Sequence, residues 1–395
     1  MEIADLRVAL FSGNYNYVRD GANQALNRLV DYLLRQGAAV RVYAPIVDNA
    51  AFPPTGDLVG VPSIAIPFRP EYRMPLGLFS AVQRDLTQFA PNVIHVTSPD
   101  PAGHRAVTWG RRHGVPVLAS VHTRFETYLR YYHMGLLEPL GVAFLRHFYR
   151  RCDAMVAPSE STANVMREQR MGFDIGIWSR GVDRATFDPS RRDMAWRRAH
   201  GLADDALVIG FLGRLVMEKG LDVFADTVAE LRKRGIPHKV LVVGKGPAHD
   251  WFAEKLPDAY FAGMLTGADL GRAVASMDVL LNPSVTETFG NVTLEAMASG
   301  VPVLAAQATG TNCLVVDEET GLLVEPDDIA GFADAIERYA ADPALRTAQG
   351  AAGELRSRDF SWDVINHAVA EVYVRLAAAR VALQRSTPAA AIRRA

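Results

Sequence analysis

Short apolar runs alternate along the chain with stretches whose apolar positions recur at helical spacing. In the first half, five runs are rich in β-branched residues and bounded by glycine, proline or polar residues, which is typical of buried parallel strands. These runs cover residues 7–11, 39–44, 93–96, 116–121 and 154–157. Between the first two, residues 22–36 have the apolar periodicity of an amphipathic helix, and Gly37 is a suitable stop signal. The pattern predicts an α/β domain with a parallel sheet.

The alternation pauses at about residues 176–205 and then resumes. The second series of predicted strands covers residues 207–212, 239–243, 260–262, 279–281, 301–304 and 322–324. Helical patterns lie between them, as at 222–234 and 291–298, and another covers 362–376. Two such series predict two open doubly wound domains, which bind ligands beyond the carboxyl ends of their strands.

These patterns predict the domain boundaries. We expect an N-terminal Rossmann-like domain over 1–178, a linker over 179–205 and a second Rossmann-like domain over 206–357. A C-terminal helix is predicted over 358–383. The Ala-, Pro- and Arg-rich tail over 384–395 is expected to be disordered.

Composition narrows the class of protein. A net charge of −2 argues against a dedicated nucleic-acid binder. The two cysteines, Cys152 and Cys313, form no CxxC motif, so we expect a reducing compartment without a disulfide framework or structural zinc. The N-terminus lacks the features of a secretory signal, and no apolar run approaches the roughly 20 residues of a membrane span. A cytoplasmic protein is expected, either soluble or peripheral to a membrane.

The loop 213–220 follows a predicted strand and precedes a predicted helix. Arg214 and Lys219 lie on this loop, beside the helix start. Two cations next to free N–H groups and the positive end of a helix dipole make a suitable phosphate site. The alternative is a solvated basic loop.

A second strand–loop–helix segment covers residues 282–302 and carries two carboxylates. Glu287 lies in the loop, where it can accept hydrogen bonds from sugar hydroxyls, and Glu295 lies inside the helix. The alternatives are a helix-capping acid for Glu287 and an exposed helix acid for Glu295, although apolar neighbours make an unpaired Glu295 costly. A Phe289-Gly290 step allows close backbone approach to a ligand. The N–H groups expected to point at that ligand belong to Gly290, Asn291 and Val292.

Together, Gly213-Arg214, Glu218-Lys219-Gly220 and Glu287-x7-Glu295 resemble the donor domain of the retaining glycosyltransferases of family four. Their fold is GT-B, with two facing Rossmann-like domains and a deep cleft between them. The resemblance implies that Arg214 and Lys219 hold the donor pyrophosphate and that Glu295 binds the ribose. It implies that Glu287, as a catalytic residue, and the backbone of 289–292 contact the transferred sugar and its phosphate. It also implies that the C-terminal helix returns to the N-terminal domain.

Two N-terminal loops complete the predicted site. His122 follows the strand 116–121; alone it is more often a hydrogen-bonded cleft histidine, but the resemblance implies a catalytic histidine here that contacts the donor sugar. The loop 13–21 is longer than the family's glycine-rich acceptor loop, contains tyrosines and is not GxGxxG. By the same resemblance, Gly21 is still expected to lie near the sugar phosphate.

Two segments, 121–128 and 178–189, resemble the glycolipid-forming subgroup that includes sulfoquinovosyl-, glucuronosyl- and mannosyl-diacylglycerol synthases. Basic and apolar residues also interleave over 124–151, and the surrounding stretch 104–151 has eight Arg against two Glu. Such a segment fits an anionic membrane surface. An amphipathic core helix with a solvated basic face is the alternative.

These observations lead to one main hypothesis: a retaining hexosyltransferase that moves a hexose from a UDP-sugar or GDP-mannose to a membrane lipid such as diacylglycerol. We expect it to be peripheral on the inner face of the cell membrane, with no cofactor and, since no D-x-D pair is present, no metal. The alternatives are transfer to a soluble or polysaccharide acceptor, or a catalytically silent nucleotide-sugar-binding protein. A nicotinamide-linked oxidoreductase is disfavoured by the missing glycine fingerprint. The donor base, the sugar, the linkage and the oligomeric state are left open.

Overall fold

The structure, a computed structural model, describes residues 1–18, 20–66, 69–122, 138–287, 289–308 and 310–386. The chain divides into two compact units. The first unit combines Met1–Ser179 with Trp362–Ala395, and the second is Arg180–Ser361. Part of the predicted basic segment 124–151 and the end of the predicted tail, residues 387–395, lie outside the described residues.

The described residues of the first unit contain nine strands. They are β1 (Arg7–Phe11), β2 (Ala39–Ala44), β3 (Asp57–Gly60), β4 (Ser63–Ile66), β5 (Arg69–Pro75), β6 (Val93–Val96), β7 (Val117–Ser120), β8 (Ala154–Ala157) and β9 (Ile175–Ile177). Seven form a parallel sheet in the order β3-β2-β1-β6-β7-β8-β9, while β4 and β5 form a separate antiparallel hairpin. The strand order reverses between β1 and β6, so the loops after these strands border the switch point of this sheet.

Helices connect these strands. They are α1 (Gly21–Arg35), α2 (Ser80–Phe89), α3 (Pro101–His113), α4 (Glu138–Tyr149) and α5 (Glu160–Glu168). Local sequence explains their starts: Asp20 caps α1 by accepting from the Asn23 N–H at 2.8 Å, and Asp100 caps α3 by accepting from the Gly103 N–H at 2.8 Å. The helices therefore begin close to the strand ends that precede them.

The second unit is a six-stranded parallel sheet. Its strands are β10 (Val208–Leu212), β11 (Lys239–Val243), β12 (Tyr260–Gly263), β13 (Val279–Asn282), β14 (Val303–Ala306) and β15 (Gly321–Val324). They lie in the order β12-β11-β10-β13-β14-β15. The switch point is between β10 and β13, which is where the loops 213–220 and 283–290 begin.

The helices of this unit are α6 (Met194–Ala199), α7 (Leu221–Lys233), α8 (His249–Lys255), α9 (Gly267–Ala275), α10 (Asn291–Ala298), α11 (Ile329–Ala341) and α12 (Pro343–Ser357). Alternate residues of β10 and β11 enter two different apolar clusters: Ile209 and Val242 lie in one, Val208 and Leu241 in the other. Both faces of the sheet are therefore covered, which explains why these strands are continuous apolar runs in the sequence.

The last helix, α13 (Trp362–Ser386), belongs to the first unit and packs against α1. Asn366 donates to the Arg28 carbonyl oxygen at 3.2 Å, the Tyr32 hydroxyl lies 2.8 Å from His367 Nδ1, and an Arg35 guanidinium nitrogen lies 2.7 Å from Asp363. The chain thus ends on the unit in which it begins. Within the described residues, no helix combines the length and apolarity needed to cross a membrane.

The observed elements differ from the predicted ones in a few places. Strand β14 covers Val303–Ala306 and not 301–304, since Pro302 precedes it and has no N–H to donate to a sheet. Helix α13 covers Trp362–Ser386, so it begins four residues after the predicted 358 and continues three residues beyond the predicted 383, into the segment expected to be a disordered tail. Strands β3, β4, β5 and β9 have no counterpart among the predicted strands.

Candidate functional site

The loop after β10 is held by close backbone contacts with the loop after β11. The Leu215 N–H donates to the Lys245 carbonyl oxygen at 3.1 Å. A Cβ on Gly244 would lie 1.8 Å from the Gly213 carbonyl oxygen, and one on Gly246 would lie 2.2 Å from that of Leu215. Only glycine fits at these two positions, so they fix the path of the loop. Arg214 is exposed on it.

The rest of this loop contacts the loop after β13. Residues Met217–Lys219 form a single 3-10 turn, which ends at Gly220 with a left-handed φ of 71°. A Cβ on Gly220 would lie 3.0 Å from the Pro283 carbonyl oxygen. The hydroxyl of Thr286 donates to the Glu218 carbonyl oxygen at 3.0 Å. The two loops predicted to bind the donor therefore form one joined structure at the switch point.

An ion pair joins the predicted cationic and acidic residues of these loops. Lys219 Nζ lies 2.5 Å from Glu287 Oε1, with both side chains largely buried. From the loop after β14, Gly310 packs on the other side of Glu287: a Cβ there would lie 2.5 Å from the Glu287 carbonyl oxygen. The loops after β10, β13 and β14 therefore meet at Glu287.

Helix α10 begins directly after this loop without a side-chain cap. Its N-cap, Gly290, has a left-handed φ of 96°, which favours glycine, and among the described residues no side-chain cap bond is made to the start of the helix. The first helical bond runs from the Leu294 N–H to the Gly290 carbonyl oxygen. Phe289 is buried and contacts the Phe360 ring at a centroid distance of 5.8 Å, which anchors the turn. The start of α10, at Asn291 and Val292, therefore offers N–H groups to an anion.

Glu295 lies one turn into α10 and is an unusual carboxyl group. Burial raises the pKa of Glu295 to about 8, and the nearby Glu287 carboxylate contributes to the rise, with no hydrogen bond offsetting it. A small part of the residue reaches solvent. A ligand that donates hydrogen bonds to a carboxyl buried in this way stabilises its charged form, so binding of such a ligand is favoured.

His122 lies two residues beyond the end of β7, at the carboxyl edge of the first sheet. Its Nε2 lies 2.8 Å from the Ser120 hydroxyl. Its ring meets Trp178 edge-on at a centroid distance of 5.3 Å. The Trp178 indole donates to Asn366 of α13 at 3.3 Å. The imidazole is therefore positioned by β7 and, through Trp178, by the C-terminal helix.

Gly21 is the first residue of α1, after a loop that is tied down by its own tyrosines. The Tyr17 hydroxyl donates to the Gly13 carbonyl oxygen at 2.6 Å, and the buried Tyr15 donates to the Thr55 carbonyl oxygen at 2.7 Å. A Cβ on Gly13 would lie 3.0 Å from an Asp100 carboxylate oxygen. This loop and the start of α3 thus meet at the switch point of the first sheet.

The structure brings eight of the ten predicted site residues together in the second unit. They are Arg214, Lys219, Glu287, Phe289, Gly290, Asn291, Val292 and Glu295. His122 and Gly21 belong to the first unit, each beyond the carboxyl end of a strand. Within the described residues, no group of three or more His, Cys, Asp or Glu side chains could hold a metal ion.

Sequence reasoning missed several residues that shape these loops. Gly244, Gly246 and Gly310 are required by close approach of a second backbone that is distant in sequence. Trp178 was seen only as part of a motif, although it joins His122 to α13. A glycine directly after strand β11 was the available signal for Gly244.

Two Rossmann-like parallel sheets define the class: an α/β protein of the GT-B fold. The solved sucrose-phosphate synthase of Thermosynechococcus elongatus has the same fold, with a TM-score of 0.78 over 94% of this chain and 99% of that chain, at 21% identity. Family models match in both units: "Glycosyltransferase Family 4" over residues 19–186 and "Glycosyl transferases group 1" over residues 206–342.

The relatives define the family. A GDP-mannose-dependent alpha-mannosyltransferase of Mycolicibacterium smegmatis is 35% identical over 82% of this chain and 85% of its own length. An alpha-monoglucosyldiacylglycerol synthase of Streptococcus pneumoniae is 24% identical over 82% of this chain and 77% of its own length. The chain belongs to glycosyltransferase family 4 and is a glycosyltransferase that uses a nucleotide sugar.

Proposed function

We propose that this enzyme transfers a hexose, with retention of configuration, from a nucleotide sugar to a membrane lipid such as diacylglycerol. The observation that carries the donor part is the joined pair of switch-point loops, where the Lys219–Glu287 ion pair lies beside the uncapped start of α10. A diphosphate is the ligand whose charge and oxygen atoms fit such a site.

In the donor complex, the diphosphate accepts from Arg214, from Lys219 and from the N–H groups that begin at Gly290. Lys219 then exchanges part of its contact with Glu287 for the phosphate, and Glu287 becomes available to the hydroxyl groups of the transferred sugar. The ribose hydroxyls donate to Glu295, whose burial makes hydrogen-bond donors favourable.

The same cations stabilise the leaving diphosphate as the bond to the sugar breaks. Negative charge develops on the bridging oxygen during this step, and fixed positive groups in a dry site lower its energy without reorganisation. His122 contacts the donor sugar from the acceptor side. The acceptor hydroxyl bonds to the anomeric carbon on the face that the diphosphate leaves, and its proton passes to the departing diphosphate.

The lipid part of the proposal is supported by helix α4. Leu140 and Phe144 lie one turn apart on α4 and are exposed, at 69% and 50%. His147 and, just beyond the helix, Arg150 are also exposed, so apolar and basic side chains share the solvent-facing surface. Such a surface fits an anionic membrane. The diacylglycerol-glycosylating relative supports the same acceptor class.

A panel of labelled nucleotide sugars tests the donor part of the proposal. Each is incubated with the enzyme and with diacylglycerol, phosphatidylinositol or a soluble glycoside, and products are separated by chromatography. We expect labelled glycolipid from one of the donors. Because configuration is retained, NMR should show an α-linked sugar in the product of an α-linked donor. Product only from soluble acceptors would refute the lipid part, and an inverted anomeric centre would refute retention.

The basic and apolar face of α4 is tested separately by vesicle sedimentation. Arg150→Gln is the informative charge variant, because Arg146 and Arg151 donate hydrogen bonds within the unit, to the Gln169 carbonyl oxygen and the Thr108 hydroxyl. We expect weaker binding of Arg150→Gln to vesicles with anionic lipid and no difference on neutral vesicles. Equal binding of variant and wild type to both would contradict the role of this face.

A further inference from the structure

The β4–β5 hairpin presents an exposed apolar face that the donor and acceptor loops do not use. In the hairpin register, Ile64 lies directly opposite Met74. The Leu76 N–H donates to the Pro62 carbonyl oxygen at 2.8 Å, which extends the pairing by two residues on the same face. Ile64, Leu76 and Met74 are 51%, 41% and 36% exposed. Adjacent apolar side chains of this size in solvent mark an interaction site more often than isolated ones do.

The backbone of strand β5 attaches the hairpin to the predicted acceptor loop. The Arg73 N–H donates to the Tyr17 hydroxyl at 3.1 Å, and that hydroxyl donates in turn to the Gly13 carbonyl oxygen. The Arg73 guanidinium donates to Ser63 across the hairpin at 2.8 Å. The hairpin also follows β3, whose carboxyl end lies at the same edge of the sheet as His122. The hairpin is therefore held near the carboxyl edge of the first sheet, next to the predicted acceptor loop.

Helix α3 connects this face to the exposed face of α4. A Cβ on Gly77, just after the hairpin, would lie 3.7 Å from Cγ of the exposed Arg105 of α3. The adjacent residue, His104, contacts the Phe144 ring of α4 at a centroid distance of 5.1 Å. The end of the hairpin therefore lies beside α3 at the exposed Arg105, and α3 lies beside α4 at Phe144.

We propose that the hairpin face of Ile64, Met74 and Leu76 docks, together with α4, on the surface of an anionic phospholipid bilayer. This role rests on the lipid acceptor proposed above, and it makes the β4–β5 hairpin the element that holds the enzyme at the membrane. The three side chains enter the acyl boundary, while Arg105 and Arg150 remain among the head groups. A second copy of this chain is a poorer occupant, because a two-fold contact would bring the same cations together.

Vesicle sedimentation with the triple variant Ile64→Ser/Met74→Ser/Leu76→Ser tests the hairpin. The vesicles contain phosphatidylcholine and phosphatidylglycerol. Because burial of one apolar side chain of this size changes a partition constant roughly tenfold, we expect at least a tenfold loss in binding. The three residues are solvent-exposed, so the variant should keep the wild-type Tm.

Phe173→Ser is the matched control. Phe173 is 77% exposed and belongs to the same unit, but it lies between α5 and β9, at the amino edge of the sheet. We expect its vesicle binding to equal that of the wild type. Equal losses in the control and the triple variant would overturn the assignment, since they would reflect general surface hydrophobicity.

Two further measurements separate this inference from the proposed function. Glycolipid formation by the wild type in detergent micelles tests the acceptor without any docking step, so its failure refutes the lipid acceptor alone. If glycolipid forms but the triple variant sediments like the wild type, the hairpin assignment fails and the acceptor stands. Analytical ultracentrifugation completes the test: a wild-type dimer that the triple variant abolishes would make a second copy the occupant and overturn the proposal.

Discussion

Replacing the buried carboxyl of α10 should stabilise the second unit and weaken donor binding. In the folded protein, burial raises the pKa of Glu295 from its ordinary value of 4.5 to about 8. The variant Glu295→Gln replaces this group by a neutral amide. Since the folded state binds this proton more tightly than the unfolded state does, the wild type loses stability as pH rises from about 4.5 to 8, and the variant does not.

The size of the effect follows from the pKa of the folded and unfolded states. At pH 5 the carboxyl lowers the free energy of unfolding by about 1 kcal/mol, and at pH 8.5 by about 4 to 5 kcal/mol. For a unit of this size, that difference corresponds to roughly 10 °C in Tm. We therefore expect Glu295→Gln to unfold at a temperature near that of the wild type at pH 5 and well above it at pH 8.5.

The assay is thermal unfolding between pH 5 and 8.5, with and without UDP and GDP. Glu319→Gln, an exposed carboxyl change in the same unit, is the control and should follow the wild type. The nucleotide that stabilises the wild type should stabilise Glu295→Gln less, because an amide is a weaker acceptor for ribose hydroxyls than a carboxylate. A pH-independent difference, or a Glu295→Gln protein less stable at pH 8.5, would refute the reasoning about this carboxyl.

Three further changes test other parts of the account. Lys219→Met should lower kcat/KM for the donor by about a hundredfold or more, because it removes a fixed positive charge from the leaving group. The exposed Lys233→Met is the control and should not lower it, and steady-state kinetics compares the two variants. Gly310→Ala should lower kcat/KM with a normal far-UV spectrum, because the added Cβ would lie 2.5 Å from a carbonyl oxygen of the carboxylate loop. Asp278→Ala should cost about 3 kcal/mol in urea unfolding, since it removes the carboxylate 3.0 Å from the fully buried Arg197 guanidinium; a loss under 1 kcal/mol would contradict this.

The strands could be predicted from the sequence where both faces of a sheet are covered. Runs such as Val208–Leu212 and Lys239–Val243 are largely apolar because alternate residues enter different apolar clusters, so a local pattern carries the signal. The segment Ser63–Ile66 was not predicted as a strand. Its four residues pair with strand β5, and Ile64 and Ala65 are both exposed although they point to opposite faces, so the segment has neither a buried run nor a buried alternation to detect.

The loops of the candidate site could be predicted because cations, carboxylates and helix starts are adjacent in the sequence. The contacts that shape those loops are not local. Lys219 pairs with Glu287, and Gly310 must lack a Cβ beside it, because β10, β13 and β14 are neighbours that end at the same edge of the sheet. The position of His122 is likewise not local. Its ring contacts Trp178, and Trp178 is in turn bonded to α13, which is distant from both in the sequence.

A crystal structure of the enzyme with a bound nucleoside diphosphate tests the central claim most directly. The account predicts diphosphate oxygens within hydrogen-bonding distance of Arg214, Lys219 and the N–H groups at the start of α10, and ribose hydroxyls on Glu295. A diphosphate bound at another edge of either sheet, with Lys219 still paired to Glu287 and Glu295 without a ligand contact, would contradict it.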